Sequence, residues 1–167
     1  MIKKVELITV NQSEKLQLVS WSDKLTVDIE IIDMQHKELV NLTNELYRAC
    51  LITDPTLTAV FKETMSRLVD YVRFHFTTEI EIMERINFPN TQSHKMQHDQ
   101  LIMQILKAVH DYNRGKKFIP NQFVRTLKDW IFSHVAIYDQ EYATFVRTQK
   151  NRGLLTDKDI YGQEAEL

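Results

Sequence analysis

Apolar side chains recur at alternating steps of four and three residues over four long stretches of the chain. This spacing places them on one face of an α-helix, as in the facing side of a helical bundle. The four predicted helices span about 30–52, 55–86, 91–113 and 120–150. Because only a few residues separate them, we expect an all-α fold, an antiparallel up-down-up-down four-helix bundle.

The breaks between these helices coincide with the few turn-forming residues. The chain has three glycines and three prolines in 167 residues, where average usage predicts about 20. Pro55 and Pro120 suit the first turn of a helix, and Gly115 and Gly153 suit helix ends. So few turn residues argue against a β-sandwich, a Gly-rich phosphate-binding fold and a disordered chain.

The two ends of the chain differ from the helical part. We interpret 1–29 as an extended N-terminal arm that lies over the domain and includes a short strand, with Trp21 as a hydrophobic plug. Residues 30–150 form the predicted bundle. Residues 151–167 form a polar C-terminal tail with scattered apolar residues, namely Leu154, Leu155, Ile160 and Tyr161.

Charge and hydropathy exclude several classes of function. The net charge is -2 and the pI is about 6.3, so no basic excess indicates a nucleic-acid partner. No apolar run is long enough to span a membrane, and Leu7–Val10 is too short for a signal peptide. The single cysteine, Cys50, cannot form an intrachain disulfide and is interpreted as a small core residue. We therefore expect a soluble cytoplasmic protein.

Polar residues occupy positions of the stripes where a bundle should be apolar. Each buried charge or unpaired imidazole costs several kcal/mol, and six would exceed the stability of an ordinary domain, about 5–15 kcal/mol. These side chains must therefore satisfy one another or share a ligand. Imidazoles with a carboxylate make a poor hydrogen-bond network but a good metal site. The six are His36, His75, Glu79, His94, His98 and His134.

The spacing of these residues supports a metal site. His75 and Glu79, like His94 and His98, are four residues apart and share a helix face. His134 and Asp139 are five apart, about 140° around a regular α-helix. Asp139 joins the others if a π-bulge lies between 134 and 139, a feature common at functional sites. Counting again from Asp139 then predicts burial of Tyr142 and Val146 instead of Glu141 and Phe145.

Together these motifs resemble the bacterial hemerythrin family over about residues 21–146. The matching segments are Trp21-x14-His36, Asp33-Met-Gln-His-Lys-Glu-Leu, Tyr71-x3-His75-Phe76-x2-Glu79-x3-Met83, His94-x3-His98 and Trp130-x3-His134-x4-Asp139-x2-Tyr142. The resemblance implies a four-helix bundle that holds two non-haem iron ions with an oxo or hydroxo bridge and binds O2 reversibly. Ile80 and Asp28 depart from residues common in the family, but neither is at a ligand position.

The resemblance also implies which residues bind each iron. One ion is held by His94, His98 and His134, the other by His36 and His75, and both by Glu79 and Asp139. With the bridging oxygen, the first iron has six bonds and the second has five, which leaves one position open for a small molecule. Seven ligands fit two tetrahedral zinc ions less well. Phe76, Trp130 and Ile131 are the predicted walls of the O2 pocket, and no catalytic residue is predicted.

The function expected from this resemblance is O2 binding, storage or delivery rather than catalysis. One alternative is a sensor module in which O2, NO or redox state changes the bundle. Another is a di-iron enzyme, but ferritin-like enzymes use Glu-x-x-His pairs, and the sequence contains none. The expected ligand is O2, with NO and other small molecules as further candidates, and the sequence leaves any protein partner unidentified.

Overall fold

The computed structural model describes residues 16–51, 57–114 and 120–162. Every regular element within these ranges is helical, and none of the helices found there is long and apolar enough to cross a membrane. Val5, Leu7 and Val10, whose loose alternation with polar residues suggested the short strand of the N-terminal arm, lie outside the described residues. So do the predicted helix start at Pro55 and the predicted stop at Gly115.

Four long helical stretches form the bundle, which confirms the predicted all-α fold class. They are α1 (Glu30–Ala49), α2 (Leu57–Arg85), α3 (Thr91–Asn113) and a fourth stretch in three parts. That stretch begins as α4 (Pro120–Ser133), continues through a π-helical turn (His134–Asp139) and ends as α5 (Gln140–Asn151).

The connection between α2 and α3 reverses the chain in a few residues. Asn87 has a φ of 52°, a left-handed conformation that asparagine tolerates better than most residues. The Phe88 amide donates to the carbonyl oxygen of Met83 at 2.8 Å, and the Thr91 hydroxyl donates to the carbonyl oxygen of Phe88 at 2.7 Å. This short link makes α2 and α3 antiparallel neighbours, so the end of one faces the beginning of the other.

The predicted stripes form the core. The steps of four and three predicted for the second helix run through eight positions on α2 and the residue after it, and all eight are buried: Phe61, Met65, Leu68, Val72, His75, Glu79, Ile82 and Ile86. On α3 the stripe is buried from His94 to Ile105, while Ala108 and Tyr112 are half-buried. This arrangement places apolar layers along the bundle and polar groups where α2 ends and α3 begins.

The described part of the N-terminal arm packs onto the bundle without forming a strand in residues 16–29. Val19, Leu25, Val27 and Ile29 are buried, and Asp23–Leu25 forms a short 3-10 helix. The Asn44 side chain accepts from the amides of Leu18 and Val19 at 2.9 and 3.0 Å and donates to the Val19 carbonyl at 2.8 Å. Trp21 is half-buried against the core.

A short helix near the C-terminus was missed by sequence reasoning. The helix α6 (Asp157–Tyr161) begins with a capping box between Thr156 and Asp159. Ile160 is buried, with 2% of its surface exposed, and its carbonyl accepts from the Arg85 guanidinium at 2.8 Å. One apolar residue among charges is a weak sequence signal, but here it anchors the segment to α2.

Candidate metal centre

All seven predicted ligands converge at one end of the bundle. They come from the first half of α1, the second half of α2, the first half of α3 and the π-helical turn, which the antiparallel arrangement brings to the same level. Each of these side chains is at most 3% exposed. Their donor atoms form two overlapping groups, Glu79 with His94, His98, His134 and Asp139, and His36 with His75 and Glu79.

Three imidazole nitrogens meet at one end of this centre. The Nε2 atoms are 2.9 Å apart for His94 and His98, 3.0 Å for His98 and His134, and 3.2 Å for His134 and His94. Nitrogens bound to one ion at about 2.1 Å lie about 3.0 Å apart at octahedral angles and about 3.4 Å apart at tetrahedral angles. This triangle therefore fits one face of an octahedral ion.

Two imidazoles form the other end. The ring centroids of His36 and His75 are 5.0 Å apart. The outer nitrogen of each ring has an acceptor: Nδ1 of His36 is 3.2 Å from the Leu25 carbonyl oxygen, and Nδ1 of His75 is 2.9 Å from Gln35 Oε1. A proton on Nδ1 leaves the Nε2 lone pair free for a metal, the arrangement found in most histidine-ligated sites.

The two carboxylates lie between these ends. Asp139 Oδ1 is 3.1 Å from His134 Nε2 and 3.4 Å from His94 Nε2, whereas Oδ2 is 3.3 Å from His36 Nε2. Glu79 Oε2 is 3.1 Å from His98 Nε2 and 3.6 Å from His75 Nε2. Each carboxylate is therefore close to nitrogens from both ends.

Burial and the opposite charges of these groups shift their pKa values in different directions. Burial lowers the pKa of His75 to about 4, so the ring is neutral near pH 7, as a metal ligand must be. Burial alone would raise the pKa of Glu79, but the surrounding histidines outweigh it and hold the pKa well below its usual value. The pKa of Asp139 is lowered for the same reason, mainly by His134 and His36. Neutral imidazoles and ionised carboxylates are the forms that bind cations. His36 and His94 differ from His75, because the nearby carboxylates outweigh burial and raise their pKa values, so a cation that binds these rings displaces a proton.

The π-helical turn places Asp139 in the centre, which confirms the irregularity predicted between 134 and 139. A regular α-helix would point this carboxylate away from His134. The wider turn brings both to the same face, and beyond it Tyr142 and Val146 are buried while Glu141 is exposed and Phe145 half-buried. The core stripe thus restarts at Asp139.

The three residues predicted to line the O2 pocket lie in different surroundings. The Phe76 ring stacks on His98, with centroids 3.6 Å apart, and lies 5.7 Å from the His75 centroid. The Trp130 indole stacks on His134 at 4.3 Å. Both aromatics thus cover the three-imidazole end, and Phe76 also reaches towards His75. Ile131 is buried in the core.

Two polar residues around the centre were missed as participants by sequence reasoning. Gln35 is the acceptor for His75, and the Tyr142 hydroxyl donates to Glu79 Oε1 at 2.9 Å. Burial, followed by the charge of Glu79, raises the pKa of Tyr142 well above its usual value, so the hydroxyl keeps its proton. The buried position predicted for Tyr142 was a usable signal. For Gln35 the signal was weaker, because it lies beside the stripe.

The buried donor atoms of this centre have the chemistry of metal ligands. Several buried atoms that face the centre have no hydrogen-bond partner among the described residues: His36 Nε2, Glu79 Oε2, Asp139 Oδ1 and Asp139 Oδ2. Buried polar atoms normally have partners, and these are all lone-pair donors aimed at a common space. Imidazole nitrogens and carboxylate oxygens in octahedral geometry suit iron. The residues therefore fit an iron centre bound by imidazole nitrogens and carboxylate oxygens.

Comparison with known proteins agrees with this geometry. Residues 27–146 match the family described as the Hemerythrin HHE cation binding domain. Bacteriohemerythrin from Stenotrophomonas maltophilia is 29% identical over 137 residues, covering 82% of this chain and 87% of its own. Bacteriohemerythrin from Pseudomonas aeruginosa is 29% identical over 142 residues, covering 85% and 90%.

Among solved structures, a wild-type hemerythrin superimposes with a TM-score of 0.70 at 22% identity. The match covers 76% of this chain and 96% of that one, which independently supports the four-helix bundle. The family match extends over most of the chain, and the buried histidines and carboxylates within it form one cluster. The chain belongs to the hemerythrin family of non-haem iron proteins.

Proposed function

We propose that this protein binds O2 reversibly at a centre of two iron ions. The observation that carries the proposal is the asymmetry of the site, with three imidazoles at one end, two at the other and two carboxylates between them. Two equivalent octahedral ions would need equal numbers of ligands. The smaller set leaves one ion short of a ligand, and a small molecule can bind there.

The proposed assignment follows the two ends of the cluster. His94, His98 and His134 would hold one ion, His36 and His75 the other, and Glu79 and Asp139 both. The distances from Asp139 support its bridging role, because its two oxygens face histidines from opposite ends. An oxygen from solvent would complete the bridge. When bound, the iron pair supplies the electrons that make O2 binding possible.

The surrounding side chains favour binding over catalysis. We infer that Phe76, Trp130 and Ile131 restrict the access of water and reductants to the centre: the two aromatic rings cover its three-imidazole end, Phe76 extends towards His75 at the other end, and Ile131 is buried in the core. The Tyr142 hydroxyl donates a hydrogen bond to Glu79 Oε1 and stays protonated, because its pKa is raised. It is therefore a poor acid towards a ligand at the open position. We infer a binding protein of the cytoplasm, with O2 as its ligand and NO as a competitor.

The experiment that tests this proposal follows iron content and the visible spectrum together. Iron-loaded protein is reduced without oxygen, exposed to O2, and cycled through removal and readmission of the gas. We expect two irons per chain and a charge-transfer band that appears and disappears reversibly. His75→Ala should lower iron content and abolish the band, whereas His110→Ala, at an exposed position on α3, should change neither.

Two results would contradict the proposal. Protein without tightly held iron, or with iron content unaffected by His75→Ala, would show that the cluster is not the metal site. A band that decays in a single cycle as a substrate is consumed would indicate an enzyme.

A further inference from the structure

Gln35 connects α1 to α2 through a buried amide beside the proposed iron centre. Only 4% of its surface is exposed. Its Oε1 is 2.9 Å from Nδ1 of His75 and its Nε2 is 3.2 Å from the hydroxyl oxygen of Thr78. The Thr78 hydroxyl lies 3.1 Å from the Phe74 carbonyl oxygen, to which it donates.

These contacts form one consistent sequence of donors and acceptors. A hydroxyl has one proton, and that of Thr78 is directed at the Phe74 carbonyl, so Thr78 must accept from Gln35. The amide therefore presents its NH2 to Thr78 and its oxygen to His75. Nδ1 of His75 must then carry the proton, and the Nε2 lone pair faces the centre.

The Nδ1 atoms of the other histidines have different surroundings from that of His75. His36 donates to a backbone carbonyl, whereas Nδ1 of His98 and of His134 has no partner within the described part of the chain. His75 is thus a ligand candidate whose outer hydrogen bond ends on a side chain that a single substitution can alter. It lies at the two-imidazole end, where the proposed function places the open position.

We propose that Gln35 is a positioning residue that fixes His75 as a neutral Nδ1–H ligand and sets the reduction potential of the adjacent iron. This inference rests on the proposed function. Hydrogen bonds to the outer nitrogen raise the basicity of a ligand imidazole. A neutral amide does so moderately, a carboxylate would do so more strongly, and an apolar side chain not at all. A more basic imidazole stabilises the more positive, oxidised iron.

The test compares Gln35→Glu and Gln35→Met with the unaltered iron-loaded protein by spectroelectrochemistry. We expect Gln35→Glu to lower the midpoint potential and Gln35→Met to raise it. Each change should alter the ratio of reduced to oxidised iron by about tenfold, equivalent to about 59 mV for one electron. Gln35→Met should also weaken iron binding about 10–100-fold against a competing chelator.

Two further variants separate this role from a structural one. Asn44→Ala removes another buried amide of α1, one that holds the N-terminal arm, so it should lower stability without moving the potential. Thr78→Val removes the acceptor that orients Gln35 and should shift the potential in the same direction as Gln35→Met. If the buried carboxylate of Gln35→Glu prevents folding, Thr78→Val still tests the inference, because it leaves Gln35 itself unchanged.

The inference is overturned if Gln35→Glu and Gln35→Met shift the potential in the same direction, or if neither they nor Thr78→Val shift it. This failure can be told apart from failure of the proposed function. Unaltered protein that loads iron but binds no O2 would end the proposed function. The opposite shifts of the Gln35 variants would remain measurable in that protein.

Discussion

Removing the metal should destabilise this bundle by an amount that the structure allows us to estimate. Four buried atoms that face the centre lack a hydrogen-bond partner among the described residues, namely His36 Nε2, Glu79 Oε2, Asp139 Oδ1 and Asp139 Oδ2. A buried unsatisfied polar atom costs about 1–3 kcal/mol, so four cost about 4–12 kcal/mol. An ordinary domain has only about 5–15 kcal/mol of stability.

The expected result is a large difference in stability between the iron-loaded and the chelated protein. In the metal-free centre, water can satisfy some of these atoms, and a proton on a histidine can satisfy others, since His36 Nε2 is 3.3 Å from Asp139 Oδ2 and His98 Nε2 is 3.1 Å from Glu79 Oε2. We therefore expect the lower end of the range. About 4 kcal/mol corresponds to a Tm lower by about 8–16 °C in a chain of this size. Thermal unfolding and urea unfolding, each followed by circular dichroism, measure the difference.

Two variants test the origin of this difference. His110→Ala should leave the gap between loaded and chelated protein unchanged, because this residue is exposed and remote in sequence from the ligands. His75→Ala should reduce the gap by weakening metal binding. Equal unfolding midpoints for loaded and chelated unaltered protein would refute the reasoning, since the buried donors would then have found other partners.

Three further predictions concern residues around the centre and in the core. Tyr142→Phe removes a buried hydrogen bond to ionised Glu79 and should lower the unfolding free energy by about 1.5–3 kcal/mol in urea titrations. The control Tyr161→Phe, at a partly exposed position, should change it by less than about 0.5 kcal/mol. Equal effects of the two variants would contradict the assigned hydrogen bond. Asn44→Ala leaves backbone groups of Leu18 and Val19 unpaired, so it should lower the unfolding free energy by about 2–3 kcal/mol and speed proteolysis within 16–29. Asn41→Ala, at an exposed position, should do neither. Burial raises the pKa of Cys50 from 9.0 to about 11, so its thiolate fraction at pH 8 is about 100-fold smaller than in the unfolded chain. Alkylation of the native protein should therefore be slower than alkylation of the urea-unfolded protein. Similar rates would show that the thiol is not protected.

Much of the fold was predictable because long amphipathic helices carry a strong periodic signal. All eight positions of the stripe from Phe61 to Ile86 are buried, although Thr64, Phe76 and Met83 beside it are buried as well. The five-residue step from His134 to Asp139 predicted the π-helical turn. The prediction was weaker where the periodic signal stops. The short α6 and the packing of Val19 and Leu25 depend on contacts with distant residues, which no local pattern encodes.

The sequence by itself determined the helices, their antiparallel order and the presence of histidines and carboxylates on the faces that meet, since all these follow from spacing along one chain. Only the tertiary structure decided the distances between those side chains, the orientation of each imidazole and the hydrogen bonds of Gln35 and Tyr142. The reason is physical: a hydrogen bond between α1 and α2, such as that from His75 to Gln35, depends on how two helices are rotated and shifted against each other. That relation is set by packing of the whole bundle, not by the spacing within either helix.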